Sequence, residues 1–209
     1  MPVDHTSNAK PTFNNRENEE VKTEDGRTVW LSRSCAVVAY VCLFNLEDKR
    51  WYTLLGKRGT GVPDAQGHWG LTCGYLDWDE NLHQAMLREV WEECGLDLTT
   101  LSQSEQFLWS GNPCLERESK EETPWSISDL PKVGKQNISF HYSILFGWRG
   151  QPLPSLSIEN AAPNEVEQLA WVPIEEAVTM DLAFNHATRL KQMCEERAKP
   201  MRLVETNCS

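Results

Sequence analysis

The sequence predicts an α/β fold in which a mixed β-sheet lies between helices. The first observation is the order of the elements, in which two strands and a helix are followed by further strands and then by helices. This order does not alternate as βαβ crossovers would, so we expect parallel and antiparallel strands in one sheet. The second observation is size and composition: 209 residues, of which 40% are hydrophobic, are enough for one well-buried domain with extensions.

The N-terminal part of the chain predicts an arm followed by a hairpin. Residues 1–27 are polar, with few large apolar side chains, which is typical of a flexible arm. Val29 to Asn45 is rich in β-branched and aromatic residues and predicts one long strand or a pair of strands, with Trp51 to Arg58 as the hairpin partner. Residues 59–67 contain three glycines but match neither a dinucleotide fingerprint nor a Walker loop, so they are interpreted as a turn.

A helix with clear start and stop signals follows. Asn81 is a good N-cap residue, and Gln84 three positions later completes a capping box. Gly95 is the usual residue just beyond a helix C-terminus. These signals predict a helix from Leu82 to Cys94.

Three glutamates on this predicted helix are candidates for binding a metal ion. At about 100° per residue, Glu89, Glu92 and Glu93 lie within roughly a 100° arc that adjoins the apolar stripe. Carboxylates at i, i+3 and i, i+4 repel by about a few tenths of a kcal/mol unless a positive group lies between them. Clustered oxygen ligands suit Mg²⁺ or Mn²⁺, which complete their shells with water and phosphate. The alternative interpretation is a solvated charged face.

The C-terminal half carries a long insertion between its elements. Residues 111–137 are polar and contain several prolines and charges, so they are either disordered or a functional loop that contacts substrate. The remaining elements are predicted as strands at 105–110, 138–148 and 169–172 and helices at 173–180 and 184–197, with residues 201–209 as a tail. The tryptophans of predicted strands are expected in the core: Trp30, Trp51, Trp148 and Trp171.

Charge, cysteine and histidine patterns exclude several classes of protein. A formal net charge of −11 argues against general electrostatic binding to nucleic acid or to an anionic membrane. No apolar run approaches the roughly 18 residues of a transmembrane helix and no signal peptide is visible, so a cytoplasmic protein is expected. The seven cysteines show no zinc spacing and are expected to be reduced, mostly buried thiols. Three isolated histidines are expected to be structural: His68, His141 and His186.

The segment from Gly74 to Leu96 resembles the signature of the Nudix hydrolase family without a gap. The order is Gly74, five residues, Glu80, seven residues, then Arg88-Glu89-Val90-Trp91-Glu92-Glu93-Cys94-Gly95-Leu96. Its seven specified polar or glycine positions arise by chance roughly once in 10⁸ windows. Weaker similarity extends from about residue 30 to about residue 182. One departure is Cys73, where many members have a second glycine.

The resemblance implies a fold, a reaction and a set of site residues. The fold is an α/β/α sandwich with a mixed sheet, here over residues 28–200, in which the signature forms a loop, a helix and a loop that hold Mg²⁺ or Mn²⁺. The reaction is hydrolysis of a pyrophosphate bond in a nucleoside diphosphate linked to another moiety, by attack of water on phosphorus. By position, the implied metal ligands are Glu89, Glu92 and Glu93, and the implied supporting residues are Gly74, Glu80 and Arg88.

The resemblance leaves the general base and the substrate contacts open. Family members differ in whether a glutamate of the signature or one of a later loop acts as the base. Here Glu165 and Glu167 lie in that loop, and Glu165 is nearer the usual position. Arg58, together with Trp69 and Trp78 on either side of the start of the signature, is a candidate for contacting the substrate.

The substrate and the function class are also not determined by the sequence. Patterns associated with coenzyme A and NADH substrates are absent, and those of ADP-ribose and diadenosine polyphosphate members are not met, so we expect only a small-molecule substrate of nucleotide type. No nucleic-acid or membrane partner is expected, and formation of a homodimer is left open. The alternatives to hydrolysis are a ligand sensor without turnover, which would usually carry a damaged signature, and a prenyl diphosphate isomerase, which would need a catalytic cysteine in a different setting.

Overall fold

The computed structural model describes residues 19–31, 35–108, 124–129, 131–132 and 135–207. Its strands, in chain order, are β1 (Glu19–Lys22), β2 (Thr28–Leu31), β3 (Cys35–Asn45), β4 (Arg50–Arg58), β5 (Trp69–Gly70), β6 (Thr72–Tyr75), β7 (Phe107–Leu108), β8 (Ser126–Ser128), β9 (Pro131–Lys132), β10 (Lys135–Gln136), β11 (Ile138–Trp148) and β12 (Val166–Pro173). Its α-helices are α1 (Leu82–Cys94), α2 (Leu98–Leu101), α3 (Ile174–Ala177), α4 (His186–Glu196) and α5 (Ala198–Asn207). Within these ranges no helix is both long and apolar enough to cross a membrane, and the cysteines are free thiols.

Eight strands of the described chain form one mixed sheet. The central order is β12-β4-β3-β11-β7, and β5, β6 and β8 pair with β4, β3 and β11 respectively. Strands β3 and β11 run parallel, whereas β3 pairs antiparallel with β4, and β4 with β12. The predicted α/β fold with a mixed sheet is therefore confirmed.

Strand β3 shows that both faces of this sheet are covered. Successive side chains point to opposite faces of a strand, and in β3 both sets are buried. One set belongs to the first core, with residues of α1: Val37, Ala39, Val41 and Leu43, with Met86 and Val90. The other set belongs to the second core, with residues of α4 and α5: Val38, Tyr40, Cys42 and Phe44, with Leu190, Met193 and Val204. The sheet is the middle layer of an α/β/α sandwich.

Most predicted elements form where the sequence places them. The helix from Leu82 to Cys94 and the strand from Ile138 to Trp148 have their predicted bounds. The segment from Val29 to Asn45 forms a pair of strands, β2 and β3, and the last predicted helix is α4. The expected tail at 201–209 differs, because α5 continues to Asn207 and buries Val204 in the second core.

The predicted N-terminal arm lies only partly within the described residues. Residues 1–18 fall outside them. Residues 19–22 form β1, which pairs with β2 in an antiparallel hairpin separate from the main sheet. Trp30 of this hairpin is 50% exposed, so its expected place in the core is wrong: β2 belongs to the hairpin and not to the covered sheet. Trp51 and Trp148, by contrast, are buried as predicted.

The predicted insertion at 111–137 is also described in part. Residues 109–123 fall outside the described residues. Strand β8 pairs antiparallel with the start of β11, and β9 pairs with β10 in a separate two-stranded ladder. A role of the insertion in contacting substrate stays a prediction.

His141 of β11 is the centre of a buried polar cluster on the second face of the sheet. Tyr40 Oη lies 2.9 Å from its Nδ1, and Ser128 Oγ lies 2.9 Å from its Nε2. Burial, with a smaller contribution from the positive charge of Arg189, lowers the pKa of His141 to about 4. His141 is therefore a neutral structural histidine, as the sequence predicts.

Replacing His141 with asparagine should change how stability depends on pH. A histidine in the unfolded chain has a pKa of about 6.5, so the unfolded chain binds one more proton than the folded chain between that pH and about pH 4. The contribution of His141 to the unfolding free energy is therefore complete above about pH 6.5, and it is lost as the pH falls from there to about pH 4. The difference in unfolding free energy between wild type and His141→Asn, measured with urea, should shrink by up to about 1.4 kcal/mol per pH unit. Because the two proteins share all other titrating groups, a difference that is constant with pH would contradict this account.

Candidate active site

Helix α1 holds the candidate site in a fixed register because both of its ends are capped. Asn81 Oδ1 accepts a hydrogen bond from the Gln84 N–H at 2.9 Å, and Gln84 Oε1 accepts one from the Asn81 N–H at 2.9 Å. Gly95 ends the helix with a φ of 66° and donates its N–H to the Trp91 carbonyl. With these ends fixed, the helix lies against β6 and its acidic side chains meet the backbone of that strand.

Arg88 is the centre of a buried ion-pair network. Its side chain is 4% exposed. Nε and Nη2 donate to the two carboxylate oxygens of Glu80 at 3.0 and 2.8 Å. Nη1 donates to Glu89 at 2.8 Å and to Glu92 at 2.9 Å, and Nη2 also donates to the Tyr75 carbonyl at 2.9 Å. The network joins three acidic residues of the signature to one guanidinium.

This guanidinium weakens one sequence argument for a metal ion. The spacing of Glu89 and Glu92 requires a positive group between them, and Arg88 Nη1 occupies that place. The repulsion between these two carboxylates is therefore relieved by the protein itself. Arg88 donates to neither oxygen of Glu93, so the argument for an added cation now depends chiefly on Glu93.

The backbone of β6 lies directly against the carboxylates of α1. A Cβ atom on Gly74 would overlap the Glu89 carboxylate, so only glycine lets the strand and the helix approach this closely. One residue earlier, the Cys73 N–H donates to Glu93 Oε2 at 3.3 Å. Any residue except proline could supply that N–H, so the departure from the family pattern at Cys73 does not disturb this contact.

Glu89 and Glu93 are buried carboxylates whose charged forms are disfavoured. They are 8% and 9% exposed. Burial raises the pKa of Glu93 well above its usual range, the negative charges of Glu89 and Glu165 raise it further, and Arg58 opposes the shift. Burial also raises the pKa of Glu89, although Arg88 partly offsets this. The pair holds excess negative charge that a proton or an added cation would neutralise.

A cavity lies beside Glu93, where β4, β5 and β12 meet. Its lining includes Arg58, Glu93 and Glu165, together with Gly56, Gly70 and Leu71. Lys57 also lines it, so two basic and two acidic residues share the cavity. Such a site can attract an anionic group through the guanidinium and can accept a proton or bind a cation through the carboxylates.

A β-bulge in β12 separates the two loop glutamates that the sequence offers as a base. The register with β4 shifts between Val166 and Gln168, and a bulge of this kind re-aims the side chains around it. Glu167 forms an ion pair with Lys57 at 3.0 Å. Glu165 lines the cavity with Glu93. Of the two alternatives, Glu165 is the one at the candidate site.

The acidic side chains fit a divalent cation by their chemistry, although they do not form a closed set of ligands. Within the described ranges, no three Asp, Glu, His or Cys side chains converge closely enough to hold an ion between them. Mg²⁺ binds few protein carboxylates and takes its other ligands from water and phosphate. Glu89 and Glu93 fit such an ion, because a cation beside them would offset the raised pKa of both.

The predicted substrate residues are not all at the cavity. Arg58 lines it; its guanidinium lies 4.7 Å from the centre of the Phe184 ring, and its Nε donates to the Asp64 carbonyl at 3.0 Å. Phe184 has a φ of 55°, a strained conformation that is frequent at ligand-binding positions, and the sequence carries no signal for it. Trp69 packs against the second core and Trp78 is half-buried, and neither is among the lining residues, so their contact with substrate stays a prediction.

A comparison with known protein families identifies the family of this chain. A model of the NUDIX domain matches residues 36–193. The chain belongs to the Nudix hydrolase family. The matched region contains the whole signature, the cavity and Glu165. No match to this Nudix hydrolase is found among curated proteins.

Solved structures share the fold of this Nudix hydrolase. RenU, a Nudix hydrolase from M. smegmatis, is 19% identical with a TM-score of 0.55, over 87% of this chain and 95% of that chain. A MutT/nudix family protein from Enterococcus faecalis is 16% identical with a TM-score of 0.56, over 81% of this chain and 65% of that chain. A bifunctional NMN adenylyltransferase/ADP ribose pyrophosphatase from Francisella tularensis, in a complex with AMP and a Mn ion, is 20% identical with a TM-score of 0.52, over 78% of this chain and 41% of that chain.

Replacing Arg88 with leucine should destabilise the protein strongly. The change would leave the buried carboxylates of Glu80 and Glu89 without their partner, and breaking a buried ion pair costs about 3–5 kcal/mol. Arg50 is a matched control, because its side chain is 41% exposed and pairs with surface glutamates. Arg50→Leu should cost less than about 1 kcal/mol. Urea unfolding measures both, and equal losses in the two variants would show that the buried network does not support the fold.

Proposed function

We propose that this Nudix hydrolase cleaves a pyrophosphate bond in a nucleoside diphosphate linked to another moiety, by attack of water on phosphorus. The observation that supports it is the meeting of Glu93, Glu165 and Arg58 around one cavity, beside the buried Glu89. Cleavage of a phosphate anhydride requires neutralised phosphate charge, a positioned water and in-line geometry. These side chains are of the types that meet those requirements.

In the proposed site, Glu89, Glu92 and Glu93 would hold Mg²⁺ or Mn²⁺. When bound, such an ion neutralises phosphate charge and makes water a stronger nucleophile. Burial places Glu89 and Glu93 in a low-dielectric environment, where their attraction to a cation is stronger than in water. Arg88 orients Glu89 and Glu92 through hydrogen bonds of 2.8 and 2.9 Å, so two of the three carboxylates are held in place before substrate binds.

Glu165 is the proposed general base, or the group that positions the attacking water. It lines the cavity together with Glu93, and its Oε2 accepts only a long hydrogen bond, 3.2 Å, from the Ala162 N–H in the described contacts. The alternative base is Glu89, whose Oε1 already accepts a hydrogen bond from Arg88. That oxygen is already engaged by a guanidinium, and Glu89 is also a proposed metal ligand, so the Glu165 carboxylate is more available to a water molecule.

A small anionic nucleotide is the proposed substrate. The chain carries a net charge of −11, so attraction of phosphate must come from local positive groups. Lys57 is paired with Glu167, which leaves Arg58 as a cavity cation that can bind a phosphate. The bifunctional NMN adenylyltransferase/ADP ribose pyrophosphatase from Francisella tularensis, of which 41% is covered by this chain, was seen with AMP and a Mn ion, in line with a nucleotide substrate and a divalent ion here.

Hydrolysis of a substrate panel tests the proposed function. Nucleotide sugars, dinucleotides and nucleoside triphosphates are incubated with the protein and Mg²⁺ or Mn²⁺, and phosphate is measured after coupling to a phosphatase. We expect turnover of at least one class, loss of turnover in EDTA and recovery with excess metal. Nucleotide binding without turnover of any class would instead indicate a ligand sensor. Unchanged turnover in EDTA with metal-free buffers would rule out the metal requirement.

Glu93→Gln should remove most turnover without destabilising the protein. Glutamine keeps an oxygen that can accept the Cys73 N–H, and it removes a buried negative charge that the fold disfavours. We expect kcat to fall by orders of magnitude and the melting temperature to stay the same or rise. Mg²⁺ should raise the melting temperature of the wild type more than that of the variant, because a ligand of the folded state stabilises in proportion to its binding.

Glu195→Gln is the matched control for the loss of one negative charge. Glu195 lies on the exposed surface of α4, away from the cavity. This control should keep wild-type turnover and the full thermal shift with Mg²⁺. A severe fall in the melting temperature of Glu93→Gln, or the same Mg²⁺ shift in all three proteins, would assign Glu93 a structural role.

A further inference from the structure

The loop between β4 and β5 is closed on itself by hydrogen bonds. The Arg58 N–H donates to the His68 carbonyl at 2.9 Å, and the Gly67 N–H donates to the Arg58 carbonyl at 2.8 Å. Inside the loop, Gln66 Nε2 donates to the Val62 carbonyl at 2.8 Å. A loop whose ends and interior are hydrogen-bonded in this way can serve as a firm support for a neighbouring segment.

This loop extends the pairing of β4 with β12 beyond the sheet. Within the sheet, the last pair at this end is Arg58 with Val166. Past it, the Gly59 N–H donates to the Glu165 carbonyl at 2.7 Å, and the Gly61 N–H donates to the Asn164 carbonyl at 2.7 Å. The segment that carries Glu165 is therefore attached to the β4–β5 loop by backbone hydrogen bonds on consecutive residues.

Glycine is required at positions 59 and 61 because the backbone of residues 163–165 approaches closely there, and not because of the backbone conformation of either glycine. A Cβ atom on Gly59 would overlap the Asn164 carbonyl oxygen, and one on Gly61 would lie 2.7 Å from the Pro163 carbonyl oxygen. Neither glycine is among those with a positive φ, so alanine could adopt the backbone conformation at both positions. An added methyl group would act only by pushing on residues 163–165.

We propose that Gly59 and Gly61 are positioning residues that hold Glu165 in the cavity at its working distance from Glu93. The inference rests on the proposed function, in which Glu165 activates or positions water. Their missing side chains let the Glu165 segment dock on the β4–β5 loop, and their N–H groups fasten it there. Displacing a reacting group by about 1 Å can lower the rate on the order of 10²-fold, so a methyl group at this contact should lower kcat.

Alanine at each glycine tests this positioning. Gly61→Ala, the milder overlap, and Gly59→Ala are compared with Thr60→Ala, whose exposed side chain lies between them in the same loop. Each glycine variant should lower kcat about 10-fold or more while KM changes less than about twofold, because substrate binding through Arg58 is unaffected. Thr60→Ala should keep wild-type kcat and KM.

Amide hydrogen exchange gives a readout that does not depend on turnover, and its first arm needs only the wild type. In the wild type, the Gly59 and Gly61 amides should exchange slowly because both donate to the Glu165 segment. In Gly61→Ala, residues 159–167 should exchange faster while β3 and β11 stay protected. Freely exchanging Gly59 and Gly61 amides in the wild type would overturn the inference even if neither alanine variant folds.

Combining Gly61→Ala with Glu165→Gln in one protein distinguishes a failure of this inference from a failure of the proposed function. Alone, Glu165→Gln should lower kcat with little change in KM. If the glycines act through Glu165, Gly61→Ala should lower kcat less than about twofold further in the Glu165→Gln background. Full additivity of the two losses, or wild-type kcat in both glycine variants, would overturn positioning and leave Glu165 as the base. Wild-type kcat in Glu165→Gln itself would overturn both roles and leave the hydrolase to use Glu89.

Discussion

The buried guanidinium of Arg88 is the interaction on which the candidate site depends. A charge that is 4% exposed would be strongly unfavourable alone, and here it is matched by hydrogen bonds to Glu80, Glu89 and Glu92. Glu80 in turn accepts the Asp77 N–H at 2.7 Å, so the network joins α1 to the loop that precedes it. One side chain thus fixes the loop of the signature and orients two carboxylates of the helix. Because the guanidinium stays charged at any accessible pH, only protonation of its carboxylate partners changes this frame.

The contacts of Arg88 also determine which carboxylate of α1 keeps a negative charge that its guanidinium does not neutralise. Glu93 is one position further along α1 and receives only a backbone N–H at 3.3 Å among the contacts described above. A fold selected for stability alone would place an apolar residue at such a position, since a buried unpaired carboxylate is costly. A buried group with a raised pKa beside a cavity is instead typical of a functional site. Binding of a cation there would offset the cost, so metal binding and folding stability are expected to be coupled in this protein.

The features that the sequence predicts well are those coded by local signals. The helix from Leu82 to Cys94 is such a case, because its caps lie within the segment itself. The parallel pairing of β3 with β11 joins segments about 100 residues apart, and no local pattern specifies it. Helix α5 is missed, and Pro200 is compatible with it because it lies in the first turn, where its missing N–H has no helical acceptor. In the site, the i, i+4 spacing of Arg88 and Glu92 was a usable signal for their ion pair, whereas the simultaneous contact to Glu80 depends on the tertiary approach of loop and helix.

The described part of the insertion contacts the rest of the protein beside the signature and not beside the cavity. Asn137, at its end, donates to Tyr75 Oη at 3.1 Å, and the carbonyl of Tyr75 accepts a hydrogen bond from Arg88. Strand β8 of the insertion pairs with β11, which lies across β3 from the strands that line the cavity. The described part of the insertion is therefore in contact with the frame that Arg88 organises, at a distance from Arg58 and Glu165. For the described part to take part in choosing the substrate, the substrate would have to extend from the cavity, along β6, to Tyr75. The chemistry of the substrate proposed above suits such a path, because the nucleoside and the other moiety lie on opposite sides of the pyrophosphate and so can occupy separate places.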